Sequence, residues 1–465
     1  MQATTEQDGL PVPQRHWAVG TIWLALTLSV LDGSIANVAL PTIAADLRSP
    51  AADSVWVVNA YQLAIVVSLL PMAAVGEMVS FRRVFLLGII VFTLGSLGCT
   101  VAHSLPMLAA ARAFQGFGAA GIMSQNGALV RFTYPSNMLG RGLGLNALVA
   151  SAGAALGPTV ASVILAVASW QWLFAVNVPI GILAYLLGRN SLPDNERSGS
   201  FDLAGTLLNA SMFGFGFIGI DLVTRGGNIS IGASLLTAAI AAAIVLFRHS
   251  RTQKEPIVPL DLLRNPVFSL SVATSVSSFA AQMLAFVSLP FFFESVLHRS
   301  QVETGLLMTP WPVAVGIGAP IAGRLADTLS AAVLSAAGLL VLCGGVALLA
   351  TLPANPTTIE IAWRMAACGL GFGFFQAPNN RSMLSAAPRS RSGAAGGMLA
   401  TARLTGQTVG AILAAVSFRI AGHSETVALG AGAALAGVAA IVSAARLYHP
   451  DGKTPPRPAL VPGVP

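Results

Sequence analysis

The chain of 465 residues is 55% hydrophobic and only 9% charged, where a soluble domain carries about 25% charged residues. With a mean hydropathy of +0.75, it is not an ordinary water-soluble protein. Its net charge of +7 sits in short loops, which argues against a nucleic-acid partner.

The apolar residues fall in runs of roughly 20, the length of a helix that crosses the ~30 Å hydrocarbon core. They are too continuous for barrel strands, which alternate. Fourteen spans are predicted, and the first covers 17–40. It holds Asp32 within SVLDGSIANVALPTIAADL. Its length, and the lack of a small-residue cleavage pattern, argue for a membrane span and against a cleavable signal. A charge deep in a bilayer normally faces a cavity or a partner, and a buried carboxylate suits proton exchange. Asp32 is therefore a candidate for proton coupling and for substrate binding; a helix-packing hydrogen bond is the plainer alternative. The second span, 54–78, offers Tyr61 and Gln62 as cavity residues. The loop AAVGEMVSFRR follows, with Glu77, Arg82 and Arg83.

The third span is 83–102 and the fourth 106–130. The fourth reads LAAARAFQGFGAAGIMSQNGALV and holds Arg112. At 100° per residue, Gln115 and Asn126 lie within about 60° of it, one polar stripe on an apolar helix. Arg112 never loses its proton at ordinary pH. Near Asp32 it would couple their separation to proton exchange; interhelical glue is the alternative. The fifth span, 139–168, contains Gly153, Gly157 and Pro158 in GAALGPTVAS. Small residues four apart let helices touch, and proline kinks one. The sixth span is 170–190.

The polar stretch RNSLPDNERSGSFD marks a boundary. Two spans follow, near 202–223 and 230–248, and then a basic stretch to Pro266. Its PLDLLRN segment is expected along the membrane surface as a short amphipathic helix. The last six spans lie near 267–292, 303–326, 329–352, 358–384, 393–421 and 426–446. The ninth span carries Gln282, and Glu294 near its outer end, where it would attract a cation or simply be solvated. Asp327 follows the tenth span in GRLADTLS, a weak copy of the Glu77 loop. Asn379 and Asn380 lie in the twelfth. Gly369, Gly371 and Gly373 sit inside an apolar span and are packing residues, not a nucleotide loop. No P-loop is present, so an ion gradient is the expected energy source and no cofactor is expected. Cys99, Cys343 and Cys368 lie in apolar runs, with no metal or disulfide spacing.

With the N-terminus in the cytoplasm, 18 basic residues fall on the cytoplasmic side and 5 outside, with Arg112 and Arg403 inside spans. The positive-inside rule thus places both termini in the cytoplasm. The domains read as a six-helix bundle, 17–190, an inserted helix pair, 202–248, and a second six-helix bundle, 266–446. Repeated halves with a midplane site are a recurrent transporter design.

These motifs resemble the major facilitator superfamily, in particular its fourteen-helix drug:proton antiporters. LDGSIANVALPTIAADL is similar to that family's first-helix signature, at Asp32, Asn37, Ala39, Leu40 and Pro41. Arg112, Gln115 and Gly116 match its fourth-helix motif; Gly153, Gly157 and Pro158 match its fifth-helix antiporter motif. QAPNNR and ATARLTGQTVGA are also family-like. The loop motif Gly-x-x-x-Asp-Arg-x-Gly-x-Arg is degenerate here, with Ala73, Glu77, Met78, Ser80 and Arg82 at its positions. The second copy, around Gly323 and Asp327, lacks the following basic residues. The resemblance implies efflux by alternating access at a bacterial inner membrane. Glu77, Arg82, Arg83, Gly153, Gly157, Pro158 and Asp327 would gate it. A lipophilic cation is the expected substrate, competing with a proton for Asp32, with Tyr61, Gln62, Gln115, Gln282, Glu294, Asn379 and Asn380 around it. A metabolite transporter, in either direction, stays open as the alternative, and further off a channel or an intramembrane enzyme. Any outer-membrane partner is not legible.

Overall fold

Within a bilayer the backbone must satisfy its own hydrogen bonds, and helices do so. The computed structural model describes residues 9–49, 51–54, 56–195, 201–224, 228–253, 258–299, 301–353, 355–420 and 425–448. Long helices follow one another through them. The first six are α1 (Val12–Asp46), α2 (Trp56–Met78), α3 (Phe81–Thr100), α4 (Leu105–Thr133), α5 (Leu139–Val167) and α6 (Asn177–Ser191). Next come α7 (Leu203–Thr224) and α8 (Ile229–Ser250). The last six are α9 (Pro266–Phe291), α10 (Pro310–Leu325), α11 (Ala331–Ala350), α12 (Thr358–Ala386), α13 (Ser392–Ile420) and α14 (Glu425–Ala445). Short helices, Trp172–Ala175 and Gln301–Met308, lead into α6 and α10. No strand occurs among the described residues. Nine of the described spans are long and apolar enough to cross a membrane. Large apolar side chains such as Val163, Ile240, Leu340 and Ile441 stand exposed on the flanks, where lipid would cover them.

Local chemistry sets the helix ends. Ser80, Ser104 and Asn265 accept backbone N–H bonds at the starts of α3, α4 and α9, each satisfying an orphan donor. At the start of α12, Thr357 and Glu360 form a capping box. The stretch after α6 is not a free linker at its near end. Asn195 Oδ1 accepts the Phe81 N–H at 2.7 Å, and Ser80 Oγ donates to Asp194 at 2.5 Å.

Helices α1–α6 pack chiefly on one another, as do α9–α14. The same contact recurs in both sets. Gly88 of α3 meets Gly118 of α4, and Gly338 of α11 meets Gly371 of α12. The α7–α8 pair joins the assembly through α7 against α2, where Asn209 donates to the Val67 carbonyl at 2.9 Å. The two sets meet through α5 with α10 and through α13 with α2 and α4. At the arginine-rich end one apolar core runs through both, from Phe81, Leu129 and Val130 to Met383, Ala395 and Met398.

The segment before α9 differs from the surface helix expected there. It makes a single turn, Leu260–Leu263. Leu262 is buried in the shared core, and Asp261 pairs with Arg391 at 3.1 Å. Four residues are too few for an amphipathic face, and these two anchors fix the turn against protein.

Candidate functional site

Asp32 and Arg112 meet in the interior of the first helix set. Arg112 Nη1 donates to Asp32 Oδ2, and both residues are almost fully buried. The other carboxylate oxygen accepts from Gln115 Nε2 at 2.9 Å and from Asn177 Nδ2 at 2.8 Å. Arg112 also donates through Nε to the Val57 carbonyl at 2.9 Å and through Nη1 to Gln115 Oε1 at 2.6 Å. Gln115 Nε2 reaches Ser96 Oγ at 2.8 Å. The guanidinium lies over the Tyr61 ring, 4.1 Å from its centroid, an attraction strengthened by desolvation. Tyr61 in turn donates to the Ser29 carbonyl at 3.1 Å. A buried ion pair needs its remaining donors and acceptors filled, and here Gln115, Asn177 and backbone fill all but Arg112 Nη2, which has no hydrogen-bond partner among the described residues.

Tyr61 is also a wall of the central cavity. This cavity, about 320 Å³, lies between the helix sets. Ser29, Gln62 and Ala150 line it from one side; Phe279, Gln282, Phe286, Trp311, Phe372 and Arg403 line it from the other. A smaller void of about 90 Å³, with Asn126, Asn146 and Asn380 on its walls, shares Ala150, Phe279, Gln376 and Arg403 with it. Asp32 lines neither; Tyr61 stands between the ion pair and the larger cavity. Asn379 turns the other way. It donates to the Ser271 carbonyl and Ser275 Oγ and accepts from Arg446 at 3.0 Å. Gly153 faces Val30 of α1, and Gly157 is buried. The side chains of Glu294, Asn37 and Pro158 lie outside the described residues.

The arginine-rich end is closed by two acids that cross between the sets. Glu77 accepts the Ala394 N–H at 2.7 Å and Arg391 Nη1 at 2.9 Å. Asp327 accepts the N–H groups of Gly140 and Arg141 at 2.9 and 3.2 Å, with Arg381 3.8 Å away. Each acid thus sits at the N-terminus of a helix of the opposite set, where the helix dipole favours a negative charge. Arg82 and Arg83 form no hydrogen bond or ion pair with this latch among the described residues; Arg391, from the other helix set, supplies the cation. Arg131 adds a bond to Ser392 Oγ at 3.0 Å. Burial, and then the neighbouring Arg389, push its guanidinium down to about 10.

Beside Asp327, a Cβ on Gly323 would strike the Gly140 carbonyl and lie 3.0 Å from Gly144 Cα. Gly323→Val is therefore expected to wedge α5 from α10 at a cost of about 1–3 kcal/mol. Greater thiol accessibility of single cysteines in this seam would register it, and unchanged accessibility would refute it.

The sequence does not single out Asn177, Ser96, Arg391, Arg403 or the aromatic wall as site residues. Asn177 had one signal, an amide in the apolar stretch WQWLFAVNVP.

The Major Facilitator Superfamily profile matches residues 22–411. The "Uncharacterized transporter YebQ" of Escherichia coli (strain K12) is 49% identical over 96% of this chain and 99% of its own length. The "Riboflavin transporter RibZ" of Clostridioides difficile (strain 630) is 32% identical over 82% of this chain and 83% of its own. The "Multidrug resistance protein Stp" of Mycobacterium tuberculosis (strain CDC 1551 / Oshkosh) is 30% identical over 84% and 74%. Among solved structures, the human organic anion transporter MFSD10 (TETRAN) superimposes with a TM-score of 0.67 at 14% identity. It covers 92% of this chain and 99% of that one, a likeness of fold alone. The paired helix sets, the central cavity and the profile agree: this chain is a multi-pass membrane transporter of the Major Facilitator Superfamily.

Proposed function

We propose that the chain is a proton-coupled exporter of small amphiphilic molecules, of the fourteen-helix drug:proton antiporter type, working by alternating access at a bacterial inner membrane. The observation that carries the reading is the buried Asp32–Arg112 pair, separated from the central cavity by Tyr61. A fixed cation in contact with a carboxylate expels its proton, and withdrawal of the cation lets the proton return. Tyr61 touches both the cation and the cavity, so a ligand against its ring disturbs the pair. The relatedness to a protein named for multidrug resistance supports export of toxic compounds. The kinship with a riboflavin transporter supports the second reading, a transporter of one aromatic metabolite.

In this proposal residues 17–190 and 266–446 rock against each other, while 202–248 rides on the first bundle through α2. The latch of Glu77 and Asp327 closes the cytoplasmic end, with both termini on that side. The expected cationic substrate needs an available carboxylate. Asp32 already accepts from three side chains here, so in this closed arrangement the cavity itself must set substrate charge.

The test is transport in everted membrane vesicles with an acid lumen. An exporter accumulates substrate in the lumen and dissipates the proton gradient with saturable kinetics. A symporter drives substrate the other way, and a channel shows no saturable exchange. Either of the last two outcomes would end the export reading.

A further inference from the structure

Arg403 carries a positive charge into the central cavity, and no described residue there carries a negative charge to balance it. It lines both the 320 Å³ cavity and the 90 Å³ void. Among the described residues, neither wall contains an aspartate or a glutamate. Arg403 forms no hydrogen bond or ion pair among the described residues, and its buried Nε is unpartnered. A second buried donor, Trp311 Nε1, lines the larger cavity and is equally unpartnered. Buried donors are costly when unfilled, and two on one cavity point to an acceptor-rich occupant.

The internal symmetry of the fold offers a comparison for this arginine. Asp327 sits over Gly140 at the start of α5, and Glu77 sits over Gly393 at the start of α13. Ten residues along each helix from these glycines come Ala150 and Arg403. Both line both cavities. One half fills the position with a methyl group, the other with a cation. An intramembrane cation that faces a cavity marks a substrate pathway.

The surroundings define the rest of the ligand. Phe279, Phe286, Trp311 and Phe372 give one wall of rings, with Phe286 and Trp311 4.9 Å apart. Gln282, Gln376 and Gln407 add amides around them. Rings alone would also hold a lipophilic cation, but the unbalanced guanidinium opposes one and pairs with carboxylate or sulfonate through two parallel bonds.

From this we infer that the transported substrate is an aromatic organic anion, its acidic group on Arg403 and Trp311 Nε1 and its ring among the phenylalanines. The inference rests on the central cavity being the transport site, as proposed above, and names the charge of its cargo.

Equilibrium binding to the purified full-length protein tests it, by calorimetry in detergent without a proton gradient. Three matched probes share one ring: naphthalene-2-sulfonate, 2-naphthylmethanol and (2-naphthylmethyl)trimethylammonium. The sulfonate is expected to bind about tenfold or more tightly than the ammonium compound. Arg403→Gln should remove that preference, Arg403→Lys should keep part of it, and Trp311→Phe should weaken the sulfonate alone. Thermal unfolding of each variant checks the fold. Undetectable sulfonate binding, an ammonium compound bound as well or better, or an Arg403→Gln protein with unaltered sulfonate affinity would each overturn the inference. Because binding is read without a gradient, its failure is separate from a failure of proton-coupled export in vesicles.

Discussion

Arg112→Leu is expected to lose both transport and about 3–5 kcal/mol of stability, because it leaves Asp32 as a buried charge with no cation. Gln115 and Asn177 still donate to Oδ1, but amides do not neutralise it. The change also strips the Tyr61 ring of the guanidinium stacked on it. Asp32→Asn with Arg112→Gln should recover most of the stability, since two neutral amides can bond to each other and to Gln115. It should remain unable to couple to protons. Thermal unfolding by tryptophan fluorescence and proton flux in proteoliposomes separate the two effects. A single Arg112→Leu protein as stable as the parent would show that the pair contributes nothing net. A double variant with proton-coupled transport would remove Asp32 from the coupling.

The second large effect is expected at the latch. Glu77→Ala deletes a charge-assisted bond to Arg391 and another to the Ala394 N–H. Such bonds contribute about 1.5–3 kcal/mol each. A loss near 3 kcal/mol would shift the balance of open and closed forms more than about a hundredfold. Spin labels at the exposed positions Arg83 and Arg264, one at the start of α3 and one ahead of α9, should move apart as the arginine-rich end opens. Transport should fall with it, since one half of the cycle is no longer held. Arg391→Ala should act in the same direction, since it takes this cation from the buried Glu77 while the Ala394 bond survives. Distances unchanged in Glu77→Ala would mean that the shared apolar core alone closes this end.

The legibility of these features followed their cost in lipid. Asp32 and Arg112 stood out because a charge in an apolar run needs a reason, and Gln115 followed from helical spacing. Asn177 did not, since one amide near a helix start is common and its partner lies 145 residues away. Asn379 and Asn380 looked equivalent in sequence. Adjacent helical residues diverge by 100°, so Asn380 reaches the smaller void while Asn379 binds Arg446 in the opposite direction. Motif position points to Arg82 and Arg83 for gating, and the cation that meets Glu77 is Arg391 from the other bundle. In the sequence Arg391 was only one more loop charge, because a contact between distant segments leaves no local periodicity. Arg403 is visible as an intramembrane charge, but that the described residues around it include no carboxylate can be seen only in three dimensions.

The ion pair and its partners all come from α1 to α6, whereas the rings and the unbalanced arginine come from α9 to α13. Such a split lets the two halves diverge under different selection. Changes in the second half can retune what the cavity accepts without touching the Asp32–Arg112 network, so relatives with new cargoes can arise by small steps on one side of the molecule.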